Sequence, residues 1–435
     1  MKARAVGAMT ASAVGATKAP LPPRMSHPEA HRPLCSARVA AVVIKGTPVG
    51  KNSTGPKLVF AHYMVCNRDY GGSVAGYERD IQDAQAAGIN GFALNCGSWN
   101  GGMYKGIPLD LPGGGSRFAR WQLQAVLFSR HDRHVLCEVV QMMTAYASNV
   151  PGTNTPMHPN YWRIAQTTPP ARSTVRCCPP GAEKAAPGTG RRPRASRTAG
   201  RSLVLNPLKA AGINTYFMPF FFMTDANGQY TDVNPSTVSA EVSGELSGLC
   251  DGFFYASSIG CPIDPAQQNV YAGAETYAAG LKAGGLGTMN SVTPQYWGSR
   301  QVSLGRRYLE YYGGEGLAAQ WNSIINVQKP DWVECFTWND FDEATYFTPI
   351  DDVNKYWPWT VHPALGFYKT HAGALKLNQY FMNWYKSGVK PTVTNDSIYC
   401  FYRTHPRLLS PATTTSARLT GSSGTAKTTS ISRPF

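Results

Sequence analysis

The 435-residue chain holds 43% hydrophobic and 11% aromatic residues but only 15% charged ones, enough for a packed core and too apolar for a disordered polyelectrolyte. Its formal charge of +15 is concentrated in three stretches: residues 1–50 carry a net +6, residues 167–201 a net +7 and residues 407–435 a net +4, leaving about −2 for everything else. A nucleic-acid binder interleaves basic residues with its folded motifs; this chain separates the two, which excludes nucleic acid as its partner.

Residues 1–56 show no sustained helix or strand period and read as a disordered or misassigned extension. The apolar run Val39–Ile44 within them is too short for a membrane span and too far from the start for a signal peptide. At Lys57 the pattern changes. Lys57–Met64 (KLVFAHYM) predicts a buried strand, Tyr77–Ala87 a helix stopped by Gly88, and Gly91–Cys96 (GFALNC) a second buried strand. Strand, helix and strand in such quick succession form a βαβ unit, which requires a parallel sheet.

Residues 106–134 break the period, and Val135–Ser148 recovers a strand edge and a helix. Residues 167–201 are dense in Pro, Arg, Gly, Ala and Ser, and a structureless stretch of that length is uncommon inside a compact domain. These off-pattern segments read as disorder or, taken together, as retained intron or out-of-frame translation. The alternation then resumes with helix Leu203–Ala211 and strand Ile213–Phe222, followed by helix Val238–Leu246 and strand Gly252–Ser258. Helix Glu275–Ala283 precedes a strand within Thr288–Trp297, and helix Gly316–Val327 precedes strand Trp332–Asp340. A long helix around Ala364–Tyr385 closes the series.

The strands are apolar throughout, as strands buried on both faces must be. No GxGxxG or P-loop follows any of them, which disfavours a doubly wound nucleotide-binding sheet. The expectation is an α/β (β/α)8 barrel over residues 57–406, incomplete because two staves fall between 104 and 203, with a disordered tail at 407–435. Ten cysteines show no CxxC and no zinc-site spacing. Cys250 and Cys261 bracket a short Gly- and Pro-containing loop and could pair in an oxidising compartment, whereas Cys96 and Cys335 read as core thiols.

Chemistry concentrates in Thr337–Ile350 (TWNDFDEATYFTPI), where Asp340, Asp342 and Glu343 crowd the end of an apolar strand. In a barrel that end is the C-terminal rim, where catalytic groups sit. Three carboxylates so close repel one another, so at least one is expected to bind its proton more tightly than usual, as a general acid requires. On an extended backbone Asp340 and Glu343 would have Cα atoms about 10 Å apart. Their carboxyls could then straddle a sugar bond at the roughly 6.5–9.5 Å of inverting glycosidases. A solvated acidic turn is the alternative. Trp338 and Asn339, an aromatic face and an amide beside the acids, favour the sugar site.

The runs KLVFAHYM, AGINGFALN, TWNDFDEATYFTPI, MNWYKSGVKP and YCFYRTHP, in that order, resemble glycoside hydrolase family 71, the mostly fungal α-1,3-glucanases or mutanases. The resemblance covers about 60% of the chain, over residues 57–105, 139–166 and 203–406. It implies a (β/α)8 catalytic barrel, a following β-rich domain, and inverting hydrolysis of α-1,3-glucosidic bonds without metal or cofactor. It implies Glu343 as general acid and Asp340 as the base activating water. His62, Tyr63, Asn95, Trp297, Trp338, Asn339 and Tyr346 become candidate substrate-binding residues, and Asp251 reads as a helix-to-strand loop residue. The implied partner is an α-glucan polysaccharide met by a secreted monomer, with neither nucleic acid nor membrane involved. A catalytically dead glucan-binding remnant, or a barrel glycosidase of other linkage specificity, is the alternative.

Departures from the family pattern are specific. Asn90 stands where the family usually has Asp, a residue with an expected part in activity. The third-strand motif falls in residues 106–134 and cannot be recognised. The strand expected before VLNPLKAAG falls in the Arg/Pro stretch, and the β-rich domain is not found after Pro406.

Overall fold

The computed structural model describes residues 37–43, 57–67, 69–70, 73–95, 124–129, 140–141, 143–144, 201–211, 215–220, 235–244, 248, 250–255, 272–298, 307–309, 314–350, 370–394, 397–401, 420–421 and 430–431. The chain divides into Met1–Cys35, which lies outside the described residues, and Ser36–Phe435. In chain order the strands are β1 (Ala37–Val43), β2 (Leu58–Met64), β3 (Gly91–Asn95), β4 (Gln124–Ser129) and β5 (Thr215–Phe220). They continue as β6 (Gly252–Tyr255), β7 (Gly287–Val292), β8 (Tyr296–Gly298), β9 (Arg307–Leu309) and β10 (Trp332–Cys335). The helices are α1 (Val74–Ala86), α2 (Asn206–Ala210), α3 (Pro235–Ser243), α4 (Ala272–Ala283), α5 (Gly314–Ser323) and α6 (Ala372–Ser387).

Strands β3, β2, β10, β7 and β6 lie side by side in that order, every neighbouring pair parallel. This is the incomplete (β/α) barrel that the strand–helix alternation predicts. A second sheet, ordered β4-β1-β5, is antiparallel. Both β1 and β4 fall in stretches that the sequence period leaves unassigned.

Side-chain alternation along the parallel strands separates two cores. Val59, Ala61 and Tyr63 of β2 and Val333 and Cys335 of β10 pack with Tyr77 and Ile81 of α1, Leu317 and Trp321 of α5, and Phe381 and Met382 of α6. The alternate residues Leu58, Phe60 and Trp332 join Phe253, Phe254, Met289 and Phe336 in the other core. Phe60 and Trp332 meet edge to face with ring centroids 6.1 Å apart. Helices α3 and α4 approach closely because Gly280 and Gly284, one turn apart, face Val238 and Val242. A Cβ at Gly280 would lie 2.5 Å from Val238 Cβ.

Several boundaries differ by a few residues from those the sequence predicts, and two of them have a clear local reason. Helix α1 starts at Val74 because the Ser73 hydroxyl accepts the Gly76 N–H at 3.1 Å, capping the helix a turn ahead of its apolar stripe. Strand β10 ends after Cys335: the Phe336 N–H makes the last bond to β7, on Val292 O, and the Thr337 N–H then leaves the sheet for Thr345 O, while that of Trp338 reaches His62 O. The predicted pairing of Cys250 with Cys261 cannot be followed, since Cys261 and Cys96 lie outside the described residues. Cys335 is a buried thiol receiving the Asn378 amide at 3.2 Å, and burial pushes it up to about 12.

Three residues just ahead of strands make the same two-bond clamp on a neighbouring strand. Asn90 donates its N–H to Val59 O at 2.8 Å and accepts the Val59 N–H on Oδ1 at 2.9 Å. Asp251 does this with Phe217 (3.0 and 2.8 Å), and Asp331 with Thr288 (3.0 and 2.9 Å). The clamps sit where strands begin, so position 90 lies at the opposite end of the sheet from the C-terminal rim. The clamp needs an oxygen acceptor and no charge, which explains why Asn can serve here. Asn90→Asp is therefore expected to leave turnover unchanged. Asn90→Ala, which strands the buried Val59 N–H, should cost about 1–3 kcal/mol in a denaturant titration.

Candidate active site

The loop from Phe336 to Ile350 carries the predicted acids; it continues from β10 and is bonded to β7 and β2. Beyond the bonds from Phe336 to β7 and from Trp338 to β2, the Phe347 N–H returns to Thr337 O at 2.9 Å. The hydroxyls of Thr337 and Thr345 meet at 3.0 Å. The Asp340 N–H donates to Thr337 Oγ1 at 2.8 Å, and Asp340 Oδ1 accepts the Glu343 N–H at 3.2 Å. Residues 341–344 thus form a turn, closed by the Ala344 N–H on Phe341 O at 3.2 Å. The extended spacing expected of Asp340 and Glu343 does not occur, because an aspartate side chain that accepts the N–H three residues on folds the chain back. Asp340, Asp342 and Glu343 remain partly exposed at this rim, whereas Trp338 and Asn339 behind them are fully buried.

What buries those two is a polar network. Asn339 Oδ1 accepts the Met64 N–H at 2.7 Å, while its amide nitrogen reaches Asn67 O and Asp69 Oδ1, both at 2.8 Å. The Asn67 amide answers on Asn339 O at 2.7 Å. The Trp338 indole donates to Asp80 Oδ1 at 2.8 Å and the Tyr63 hydroxyl to Asp80 Oδ2 at 3.0 Å. The side chains of Tyr63, Trp338 and Asn339 therefore tie the acid-bearing loop to the β2–α1 segment, with their polar atoms engaged inside the protein.

A second buried group lies between β2, β3 and β10. His62 is fully buried, with Nδ1 2.8 Å from Glu334 Oε1 and Nε2 2.9 Å from the Asn95 amide nitrogen. An amide nitrogen can only donate, so the ring carries its proton on Nδ1, facing the glutamate. Asn95 is 2% exposed, and the His62 ring lies 4.3 Å from that of Phe336. Glu334 was not among the sequence candidates, although a charged residue inside an otherwise apolar strand was its signal.

At the rim, Tyr346 is buried and stacks face to face on His371, with ring centroids 3.7 Å apart. The His371 Nδ1–H donates to Tyr346 O at 2.5 Å, and its Nε2 receives the Gln295 amide at 3.3 Å. Burial lowers His371 to about 4, only partly offset by its bond to that carbonyl, so the ring is neutral at ordinary pH. The Tyr296 hydroxyl, from β8, lies 3.4 Å from Glu343 Oε1. Tyr296, Gln295, His371, Asp69 and Asp80 are the residues that sequence reasoning missed around the acids. Trp297 lies in β8, but its side chain falls outside the described residues. Among the described residues no group of three His, Cys, Asp or Glu side chains could hold a metal ion, and no helix is long and apolar enough to cross a membrane.

Comparison with known proteins bears on this arrangement. A glucan endo-1,3-alpha-glucosidase of Schizosaccharomyces pombe is 24% identical over 370 residues, covering 85% of this chain and 74% of that protein. A mutanase of Penicillium rubens is 31% identical over 94 residues, covering 20% of this chain and 19% of that protein. Among solved structures, an endo-alpha-mannosidase from Bacteroides thetaiotaomicron aligns with a TM-score of 0.42 at 10% identity, over 76% of this chain and 97% of its own, too loosely to bear on fold or chemistry. The model of glycosyl hydrolase family 71 matches residues 55–105 and 193–433, well over half of the chain, and takes in β2, β3, β10 and the acid-bearing loop. The chain therefore belongs to glycosyl hydrolase family 71.

Proposed function

We propose that this glycoside hydrolase cleaves α-1,3-glucosidic bonds of an α-glucan polysaccharide with inversion, using Glu343 as general acid and Asp340 as general base. The observation that carries the reading is the partly exposed Asp340–Glu343 pair on a braced turn at the C-terminal end of β10. Glu343 protonates the oxygen of the leaving sugar. Asp340 takes a proton from the water that attacks the anomeric carbon from the opposite face. The names of the two relatives agree with an α-1,3-glucan substrate. Inversion, action outside the cell and the monomeric state are proposed on the family resemblance alone, a turn having replaced the extended spacing of the two acids.

The test is incubation with insoluble α-1,3-glucan, following reducing ends over time and the anomer first released by proton NMR. Release of the β-anomer is the expected result. Release of the α-anomer would overturn inversion, and adsorption without any reducing sugar would make the chain a glucan-binding remnant.

A further inference from the structure

Asp69 and Asp80 are both buried, at 0% and 1% exposure, with their carboxyls within hydrogen-bonding reach of each other. Asp80 accepts on both oxygens, from Trp338 Nε1 and from the Tyr63 hydroxyl. Asp69 accepts the Asn339 amide on Oδ1, while its Oδ2 is buried with no N–H or hydroxyl donor against it. Two carboxylates this close and this deeply buried cannot both be ionised. A proton on Asp69 Oδ2, donated to Asp80, removes the repulsion and gives that oxygen a partner.

We propose that Asp69 and Asp80 share one proton and act as a buried positioning latch, Asp80 holding the Trp338 indole and Asp69 the Asn339 amide, so that the adjoining Asp340 and Glu343 keep a fixed orientation. That Asp340 and Glu343 react rests on the proposed function; the shared proton does not. Burial raises the proton affinity of Asp69, and the charge of Asp80 adds to it. Burial raises that of Asp80 too, against hydrogen bonds from Trp338, Asp69 and Tyr63 that pull it back. The other titratable groups facing the pair are Tyr63 of β2, Asp83 of α1 and Tyr70, whose hydroxyl donates to Asp83 at 2.6 Å. Arg79 lies over the Tyr70 ring, 4.3 Å from its centroid.

Asp69→Asn discriminates, because the new amide puts an N–H where the shared proton stood and keeps an oxygen for Asn339. Asp80→Asn cannot accept on both sides, so Trp338 or Tyr63 loses its acceptor. Infrared difference spectroscopy at neutral pH should show the carbonyl stretch of a protonated carboxylic acid, absent in Asp69→Asn. Because Asp69 binds its proton more tightly folded than at its unfolded value of about 3.9, its contribution to stability is fully present below that pH and is lost as pH rises through the folded value. That decline should be shallower in Asp69→Asn. On α-1,3-glucan, Asp80→Asn should lower kcat by up to about 100-fold with little change in KM, and Asp69→Asn should lower it less. Near-ultraviolet circular dichroism should show Trp338 loosened in Asp80→Asn alone. A missing acid band in the wild type, an unchanged band in Asp69→Asn, or full kcat in Asp80→Asn would each overturn the latch. If the wild type releases no sugar, the proposed function fails by itself, and the infrared, denaturation and dichroism measurements still decide the latch.

Discussion

Glu343→Gln is expected to lower kcat on α-1,3-glucan by about 10²–10⁴-fold, and Asp340→Asn by a similar factor, with KM little changed. The amides are chosen because they remove a transferable proton or a charge while keeping the oxygens that hold the loop. An Asn at position 340 still offers an acceptor to the Glu343 N–H, now 3.2 Å from Asp340 Oδ1, so the turn persists. A Gln at position 343 still accepts from the Tyr296 hydroxyl at 3.4 Å. A loss in either variant therefore reports chemistry rather than a collapsed loop. Asp340→Ala, which removes the acceptor as well, should lower both activity and thermal stability. Tyr296→Phe deletes one long hydrogen bond, worth about 0.5–1.5 kcal/mol, and should cost roughly 2–10-fold in kcat. Steady-state kinetics on soluble α-1,3-oligosaccharides separates kcat from KM. If both amide variants turn over like the wild type, the acids are a solvated turn and the reaction centre lies elsewhere.

The contrast between Asp80 and Asp69 shows how far the sequence can be read. Asp80 lies three residues after Tyr77 and four before Ala84, on the buried stripe of α1. A carboxyl on a stripe otherwise made of Tyr, Ile and Ala is a visible anomaly of a regular helix. Glu334 in the strand WVEC is visible in the same way. Asp69 sits instead in a polar connection before α1, where no period exists to say which way a side chain points. The same limit explains Trp338 and Asn339. Their residue types suit a sugar site, but in an irregular loop only tertiary contacts decide orientation, and here the Asp340 turn and the Thr337–Thr345 contact direct both inward. Strands β2 and β3 and helix α1 were legible because local periodicity and tertiary burial agree along them. The placement of β1 between β4 and β5 depends on pairing partners nearly 90 and 180 residues away, which no local pattern encodes.

His62→Leu is expected to be among the most destabilising substitutions on the β2 face, costing about 3–5 kcal/mol. The residue joins β2 to β10 through Glu334 and to β3 through Asn95, all at 2% exposure or less. Replacing the imidazole takes the Nδ1–H donor away from a carboxylate that water does not reach, and a buried charge deprived of its donor is what makes such changes expensive. Glu334→Gln should be much milder, within about 1.5 kcal/mol, because a neutral amide oxygen can still accept the ring proton. The informative variant is the double one. With Gln at position 334 there is no charge to leave behind, so His62→Leu in that background should cost clearly less than in the wild type, a coupling of about 1–3 kcal/mol. Urea titrations of the four proteins give the cycle, provided that m stays constant so that midpoint shifts report stability. Strict additivity would mean that the 2.8 Å contact carries no coupling. His62 would then act only as a packed ring against Phe336, whose centroid lies 4.3 Å away.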